Sequence, residues 1–169
     1  MAFVIINPQL GCPPIASALA ASNAAGRSSP WKLGDVVKAV DPDYGVGEFI
    51  YLQGAANTVR GSAVLYNPDD WTTSLLAAND IGSVAIAMAA SVANLFGWYQ
   101  IKGKGVVKAG TVADNGNVYS TASAGTLDDA VVAGDRVKNA KFASADGTPA
   151  AGLAEIEIDR PFVDDAVAA

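Results

Sequence analysis

Between Gly97 and Val137 the chain alternates apolar and polar residues between closely spaced turn signals, and no other stretch restricts the fold as much. Trp98, Gln100, Lys102 and Lys104 share one parity, while Tyr99, Ile101 and Gly103 share the other. A period of two marks a strand with two different faces. Val106 to Val112 continues in extended style, Asp114-Asn115-Gly116-Asn117 is a strong turn, and Val118-Tyr119-Ser120-Thr121 reads as the returning strand. An antiparallel β-scaffold is the expected centre of the molecule.

The flanking sequence extends this pattern. Val36 to Val40 reads as a strand, and Asp41-Pro42-Asp43-Tyr44-Gly45 as a turn with Pro and Gly in favoured places. Val46 to Leu52 and Thr58 to Tyr66 read as the next pair, with Gly61 marking a bulge or a barrel corner. Trp71 to Asn79 is expected to hold one short helical turn, and Val84 to Met88 a further strand. Thr126-Leu127-Asp128-Asp129-Ala130 reads as a capped turn or short helix start, with Thr at the cap and acids in the first turn. Arg136 to Phe142 and Glu155 to Val163 close the chain; in the second, Ile156 and Ile158 point inward while Glu155, Glu157 and Asp159 point outward. Short strands with a turn signal every ~8–12 residues predict an all-β fold, a small antiparallel barrel or tulip-like domain over 31–169.

Residues 1–30 differ. An apolar run from Phe3 to Ile6 precedes Pro8, Pro13 and Pro14, then an Ala/Ser-rich segment in which Arg27 is the one charge. The prolines exclude regular helix. The segment reads as an extended arm that becomes ordered on a partner surface, leaving a domain that folds without it.

A chain of 169 residues suits one domain with a real core. Charged residues make up only 17% of it, a sparse surface charge that suggests cover by other protein. The net charge of −6 gives no basic footprint for nucleic acid. The charge is uneven: Lys102, Lys104 and Lys108 fall in a stretch without acids, while six acids and one Arg occupy the last part of the chain. The run Ile81–Ile101 is uncharged and long enough to span a bilayer, but its Ala, Ser, Gly and Asn content favours two strands and a turn over a membrane helix. The N-terminus lacks the basic region of a signal peptide.

Chemistry is hard to place. With one cysteine, Cys12, and no histidine, the chain cannot form an internal disulfide, a thiolate–imidazole metal site or a Ser-His or Cys-His dyad. The acid pairs Asp41/Asp43, Asp69/Asp70, Asp128/Asp129 and Asp164/Asp165 sit in turns, caps or the tail, and glycosidic chemistry needs carboxylates facing across a cleft. The Asp41–Gly45 turn lacks EF-hand spacing for calcium. Gly97–Lys104 misses the P-loop pattern, because five residues separate its glycines and Gly105 follows the lysine. No enzyme, cofactor or metal is expected. Tryptophans and tyrosines form either a sugar-stacking platform or, more commonly, core and interface packing.

The segments GSVAIAMAASVANLFGWYQIKGKGVVKAG, GTVADNGNVYSTASAGTLDD and AGLAEIEIDRPF resemble the capsid decoration (cement) proteins of tailed bacteriophages. The resemblance covers about Gly34 to Val163 and rests on an Ala-rich strand, a Gly-Trp-x-Gln strand, a Gly-rich return and a final alternating strand. It implies a β-barrel or β-tulip domain on the outer capsid surface, typically a homotrimer, clamping the major capsid protein lattice against internal DNA pressure. It also implies synthesis in the host bacterial cytoplasm, with neither nucleic acid nor membrane as a partner. The contact residues expected on this reading are Phe3, Ile5, Pro8, Pro13, Pro14 and Arg27 of the arm, with Trp31, Trp71, Trp98, Lys102, Lys104 and Lys108 of the domain. A tail, baseplate or head-fibre component and a carbohydrate-binding adhesion module are the alternatives.

Overall fold

The computed structural model describes residues 3–6, 12–20 and 31–164. The strands, in chain order, are β1 (Val4–Ile5), β2 (Ala18–Ala20), β3 (Val36–Asp41), β4 (Gly45–Gln53), β5 (Ala63–Tyr66), β6 (Thr73–Leu75), β7 (Gly82–Ala87), β8 (Leu95–Lys108), β9 (Asn117–Ser120), β10 (Leu127–Asp128), β11 (Arg136–Phe142) and β12 (Leu153–Val163). Among the described residues there is no helix. The main path of the sheet runs β1-β3-β4-β8-β7-β12-β11-β9-β10, with β2 on β8 and β5 between β6 and β7. All named strand pairs are antiparallel. The all-β expectation holds. The barrel, however, is open: its path has ends at β1 and β10, and a single bridge between Ala109 and Leu127 brings β10 back beside the end of β8.

β8 organises the molecule. Its first half pairs with β4 from Gln53↔Phe96 to Glu48↔Lys102, and its second half with β12 from Asp159↔Lys102 to Leu153↔Lys108. Trp98 to Ile101 is buried on both parities, because each face of the strand is covered. On one face Trp98 packs with Phe49, Tyr51, Trp31, Met88 and Ile15. On the other, Tyr99 and Ile101 pack with Ile50, Leu52, Val64, Ala85 and Ala87. The alanines of β7 thus belong to a core where strands approach closely, which accounts for the small-residue composition. The Ile81–Ile101 run resolves into β7, a turn and the start of β8, and no helix among the described residues is long and apolar enough to cross a membrane. A third cluster, with Val107, Leu127, Phe142, Ile156 and Ile158, fills the barrel-like half.

The strand bends where glycine allows it. Gly103 has φ +100, and a Cβ there would lie 2.6 Å from the carbonyl oxygen of Val46. The buried Gln100 amide fills this bend: its Nε2 donates to the carbonyls of Lys102 at 3.2 Å and Lys104 at 3.0 Å. Gly105 leaves the room for it, since a Cβ at that position would sit 2.2 Å from Gln100 Oε1. Both glycines thus serve the bend and not a phosphate-binding loop.

Four local expectations change. The helical turn over Trp71–Asn79 is absent: Trp71 adopts φ +61, the Asp70 carboxylate accepts from Thr72 N and Oγ1, and the chain enters β6. Leu127 and Asp128 form a short strand against Ser120 and Tyr119, with Asp128 Oδ1 accepting from Ala130 N, so Thr126 caps no helix. The turn at 114–117 exists, with Gly116 N donating to Ala113 O at 3.1 Å, but it does not close a hairpin. β9 pairs with β11 and β10 because β12 already occupies that edge of β8. Likewise β5 is shorter than Thr58–Tyr66 and pairs with β6 and β7, since both edges of β4 are taken by β3 and β8.

The largest difference concerns the arm. β1 extends the sheet from β3, and Phe3 meets Phe49 edge-on at 4.8 Å between ring centroids. β2 pairs Ala18, Leu19 and Ala20 with Gly97, Phe96 and Leu95. The carbonyl of Pro13 accepts the Trp98 indole N–H at 3.0 Å inside the core. The described parts of the segment expected to need a foreign surface lie on their own domain, because Trp98, Tyr51 and Phe49 present an apolar face that has to be covered.

Candidate contact surface

The acid pairs hold turns together. Asp41 is buried and its Oδ1 accepts from Asp43 N at 2.9 Å and Tyr44 N at 3.1 Å, the Asx turn that the sequence suggests. Asp69 N donates to Asn67 Oδ1, and the hydrogen bonds from Thr72 hold the Asp70 carboxyl below its usual range. Asp129 Oδ2 accepts from Ala113 N at 2.8 Å, and burial pushes the neighbouring Asp128 carboxyl up. Asp164 pairs with Lys138, while Asp165 lies outside the described residues. Among the described residues no group of three or more Asp, Glu or Cys side chains is arranged for a metal ion. Burial also raises the Cys12 thiol, which makes it a poor nucleophile at neutral pH.

Burial pushes the Tyr99 hydroxyl above the ordinary value of 10.0, and its hydrogen bonds to Thr73 and Ser91 offset this only in part. The unfolded chain therefore loses this proton first, so stability falls as pH rises above about 10. Tyr99→Phe is expected to flatten that alkaline decline in urea midpoint; an unchanged slope in the variant would refute the assignment.

The expected contact residues separate into three groups. Trp98 is 1% exposed and Trp31 is buried against it, with ring centroids 5.6 Å apart, so both pack in the core. Trp71 is half-buried, packed on the second core cluster. In the arm, Phe3 and Ile5 are half-buried on the same cluster as Trp98, Pro13 is buried and Pro14 exposed; Pro8 and Arg27 lie outside the described residues. The lysines lie on the surface, but two are already engaged. Lys102 Nζ is 3.1 Å from Asp159 and Lys104 Nζ is 2.7 Å from Glu155. Lys104 also stands 5.7 Å from the centre of the Tyr44 ring. The acid-free stretch and the acid-rich final strand are therefore partners across one ladder, with Lys102 opposite Asp159 and Lys104 opposite Glu157. Exposed pairs of this kind contribute about 0–1 kcal/mol each and mainly hold register. Lys108 is half-buried and makes no ion pair among the described residues.

A surface that sequence reasoning passed over lies at the β1 end of the sheet. β3 alternates strictly, with Val37, Ala39 and Asp41 inward and Val36, Lys38 and Val40 outward. Register places Val4 opposite Val40 and Val40 opposite Val46, so three valines form a row across three strands on the outer face. Their exposures are 65%, 39% and 55%, and Ile6 and Val36 beside them are exposed as well. A charged group borders the row: Glu48 is held by Arg160 at 3.0 Å and by Lys38 at 3.7 Å. Single exposed apolar residues are ordinary, but a contiguous apolar row with a polar rim has the make-up of a protein contact. The signal was present in Val36-Val37-Lys38-Ala39-Val40, where both parities are mainly apolar although only one can face the core.

No protein-family model matches the chain, and no curated protein matches its sequence.

Proposed function

We propose that the chain is a capsid decoration (cement) protein, a non-enzymatic virion component made in a bacterial cytoplasm. It binds the outer surface of the major capsid protein lattice and stabilises the head. The observation that carries this reading is the exposed Val4–Val40–Val46 row, an apolar contact face on the rigid sheet. The resemblance of the β7–β8, β9–β10 and β12 sequences to decoration proteins supports the choice of partner. One such row is small, and attachment then comes from many copies engaging a repeating lattice, where avidity multiplies a weak contact.

The test is cosedimentation with expanded, DNA-free heads assembled from the major capsid protein of a tailed bacteriophage. Val40→Asp combined with Val46→Asp is expected to lower head occupancy at least tenfold, with thermal unfolding shifted by only a few degrees, since both side chains face solvent. A wild-type chain that fails to pellet with heads but pellets with tails, or binds glycans, would replace this reading with one of its alternatives.

A further inference from the structure

The ends of β5, β6 and β7 frame a groove of about 400 Å³. Tyr66 pairs with Thr73 of β6 on one side and with Ser83 of β7 on the other, and Leu65 pairs with Ser74. The Asn67-Pro68 turn and the exposed Ile81 complete the walls. Small-molecule sites span about 300–1,000 Å³, so the volume suits one. The turn is fixed from within: Asn67 Oδ1 accepts from Asp69 N at 3.1 Å, and Asn67 O accepts from Trp71 N at 2.7 Å. Thr72 and Thr73 use their hydroxyls on their own chain, donating to Asp70 Oδ1 and to the carbonyl of Gln53. Four other polar groups stay open. The Tyr66 hydroxyl, Ser74 Oγ, Ser83 Oγ and Asn67 Nδ2 make no hydrogen bond among the described residues, and all four residues line the groove.

Among the described residues that line the groove none is charged. An anion would lack a cationic partner there, and a metal ion would lack carboxylates. A wholly apolar ligand would strip water from the four open groups and leave them unpaired, at about 1–3 kcal/mol for each one buried. A neutral polyhydroxyl ring satisfies both parts of the lining. Its hydroxyl rim pairs with the hydroxyls and the amide, while its C–H face packs against the Tyr66 ring, Pro68 and Ile81. The walls are held in place by the core, since Tyr66 packs on the cluster of Tyr99 and Ile101, and Leu65 on that of Val107 and Phe142. The tryptophans that suggest a sugar platform from sequence take no part: Trp31 and Trp98 are buried, and Trp71 lies outside the lining.

We propose that this groove binds a neutral hexopyranose unit of a glycan, through Tyr66, Asn67, Ser74 and Ser83. The groove and the Val4–Val40–Val46 row lie at opposite ends of β4. The row crosses β4 at Val46, near its start, whereas the groove adjoins its last residue through the Gln53–Thr72 bridge. At about 3.3 Å per strand residue the two are roughly 20 Å apart. A chain held by the valine row therefore keeps the groove open, and head binding and sugar binding coexist in one molecule. A single open groove of this kind gives a dissociation constant of about 1 mM, and repetition over a lattice multiplies it by avidity. Sugar binding does not depend on a capsid shell, and its failure leaves the lattice reading untouched.

Titration of the isotope-labelled full chain with glucose, galactose, mannose and N-acetylglucosamine, each to about 50 mM and followed by amide NMR shifts, tests it. Saturable shifts are expected with at least one sugar, centred on the amides of Tyr66, Asn67, Ser74 and Ser83. Tyr66→Phe combined with Asn67→Asp keeps the ring packing and the acceptor for Asp69 N but removes two donors, and is expected to bind at least about fivefold more weakly. Ser83→Ala is the milder variant if the pair lowers the melting temperature. Glucuronate is expected to bind more weakly than glucose, and 2-propanol to give no saturable shift at the groove. Absence of saturation by all four sugars, saturation at amides elsewhere, variants that bind like the wild type, or equal response to 2-propanol would each overturn the proposal; tighter binding of glucuronate would overturn its neutral class. The double variant is expected to pellet with heads as the wild type does. Its loss from heads would assign the groove to the capsid protein and likewise overturn the proposal.

Discussion

Deletion of residues 2–20 is expected to abolish cooperative folding of the domain, or to lower its stability by at least about 5 kcal/mol. Phe3, Ile5, Cys12 and Ile15 cover the cluster of Trp98, Tyr51, Phe49 and Trp31. Burying one large apolar side chain is worth about 1.5–3 kcal/mol, and a typical domain has about 5–15 kcal/mol in total. The cut also removes the Pro13 carbonyl that accepts the Trp98 indole N–H, and the β2 strand that pairs with Leu95–Gly97. Tryptophan emission should shift to the red and the truncated chain should aggregate. A truncated chain with native emission and an unchanged melting temperature would show that the segment is an accessory arm after all, as its prolines and lack of charge first suggest.

Gly103→Ala is expected to cost about 3 kcal/mol or more, against about 1 kcal/mol for Gly45→Ala. Both glycines have positive φ, +100 and +73, so both substitutions strain the backbone. The difference lies in what the methyl group meets. At Gly45 there is nothing within 4 Å, whereas at Gly103 the Cβ would lie 2.6 Å from Val46 O and 3.0 Å from Gly47 Cα, both main-chain atoms of the neighbouring strand. Main chain cannot rotate aside as a side chain does, so β4 and β8 would have to separate near Glu48↔Lys102. Gly105→Ala tests the same bend from its inner side, because its methyl group would displace the Gln100 amide and leave a buried polar group without its two carbonyl partners. Urea midpoints of the three variants decide this; equal losses at Gly45 and Gly103 would remove the close approach as the cause.

Local signals were legible wherever the interaction is short-range. The Asp41 turn, the bend glycines and the inward Ile156 and Ile158 follow from φ preferences and a two-residue period. The helical turns were misread because an Asx or Thr–Asp contact looks alike before a helix and before a strand, and only the neighbouring β5 and β9 select the strand. Hairpin partners were misread because a good turn does not reserve a strand edge: the 114–117 turn is well formed, yet β12 arrives from elsewhere in the chain to take β8. Trp98 and Trp31 are buried although their composition also suits a contact surface, because composition cannot tell a covered aromatic from an exposed one.

What the residues alone determine is an all-β chain, without histidine chemistry, and with strands whose period and turns are written locally. What tertiary structure decides is partnership. It sets Lys102 and Lys104 against the acids of β12, lays the N-terminal segment over Trp98, lines Val4, Val40 and Val46 into one row, and gathers Tyr66, Ser74 and Ser83 at one groove. The physical reason is that period and φ belong to a few consecutive residues, whereas burial, register and charge pairing belong to strands distant in sequence, which meet only when the whole sheet forms.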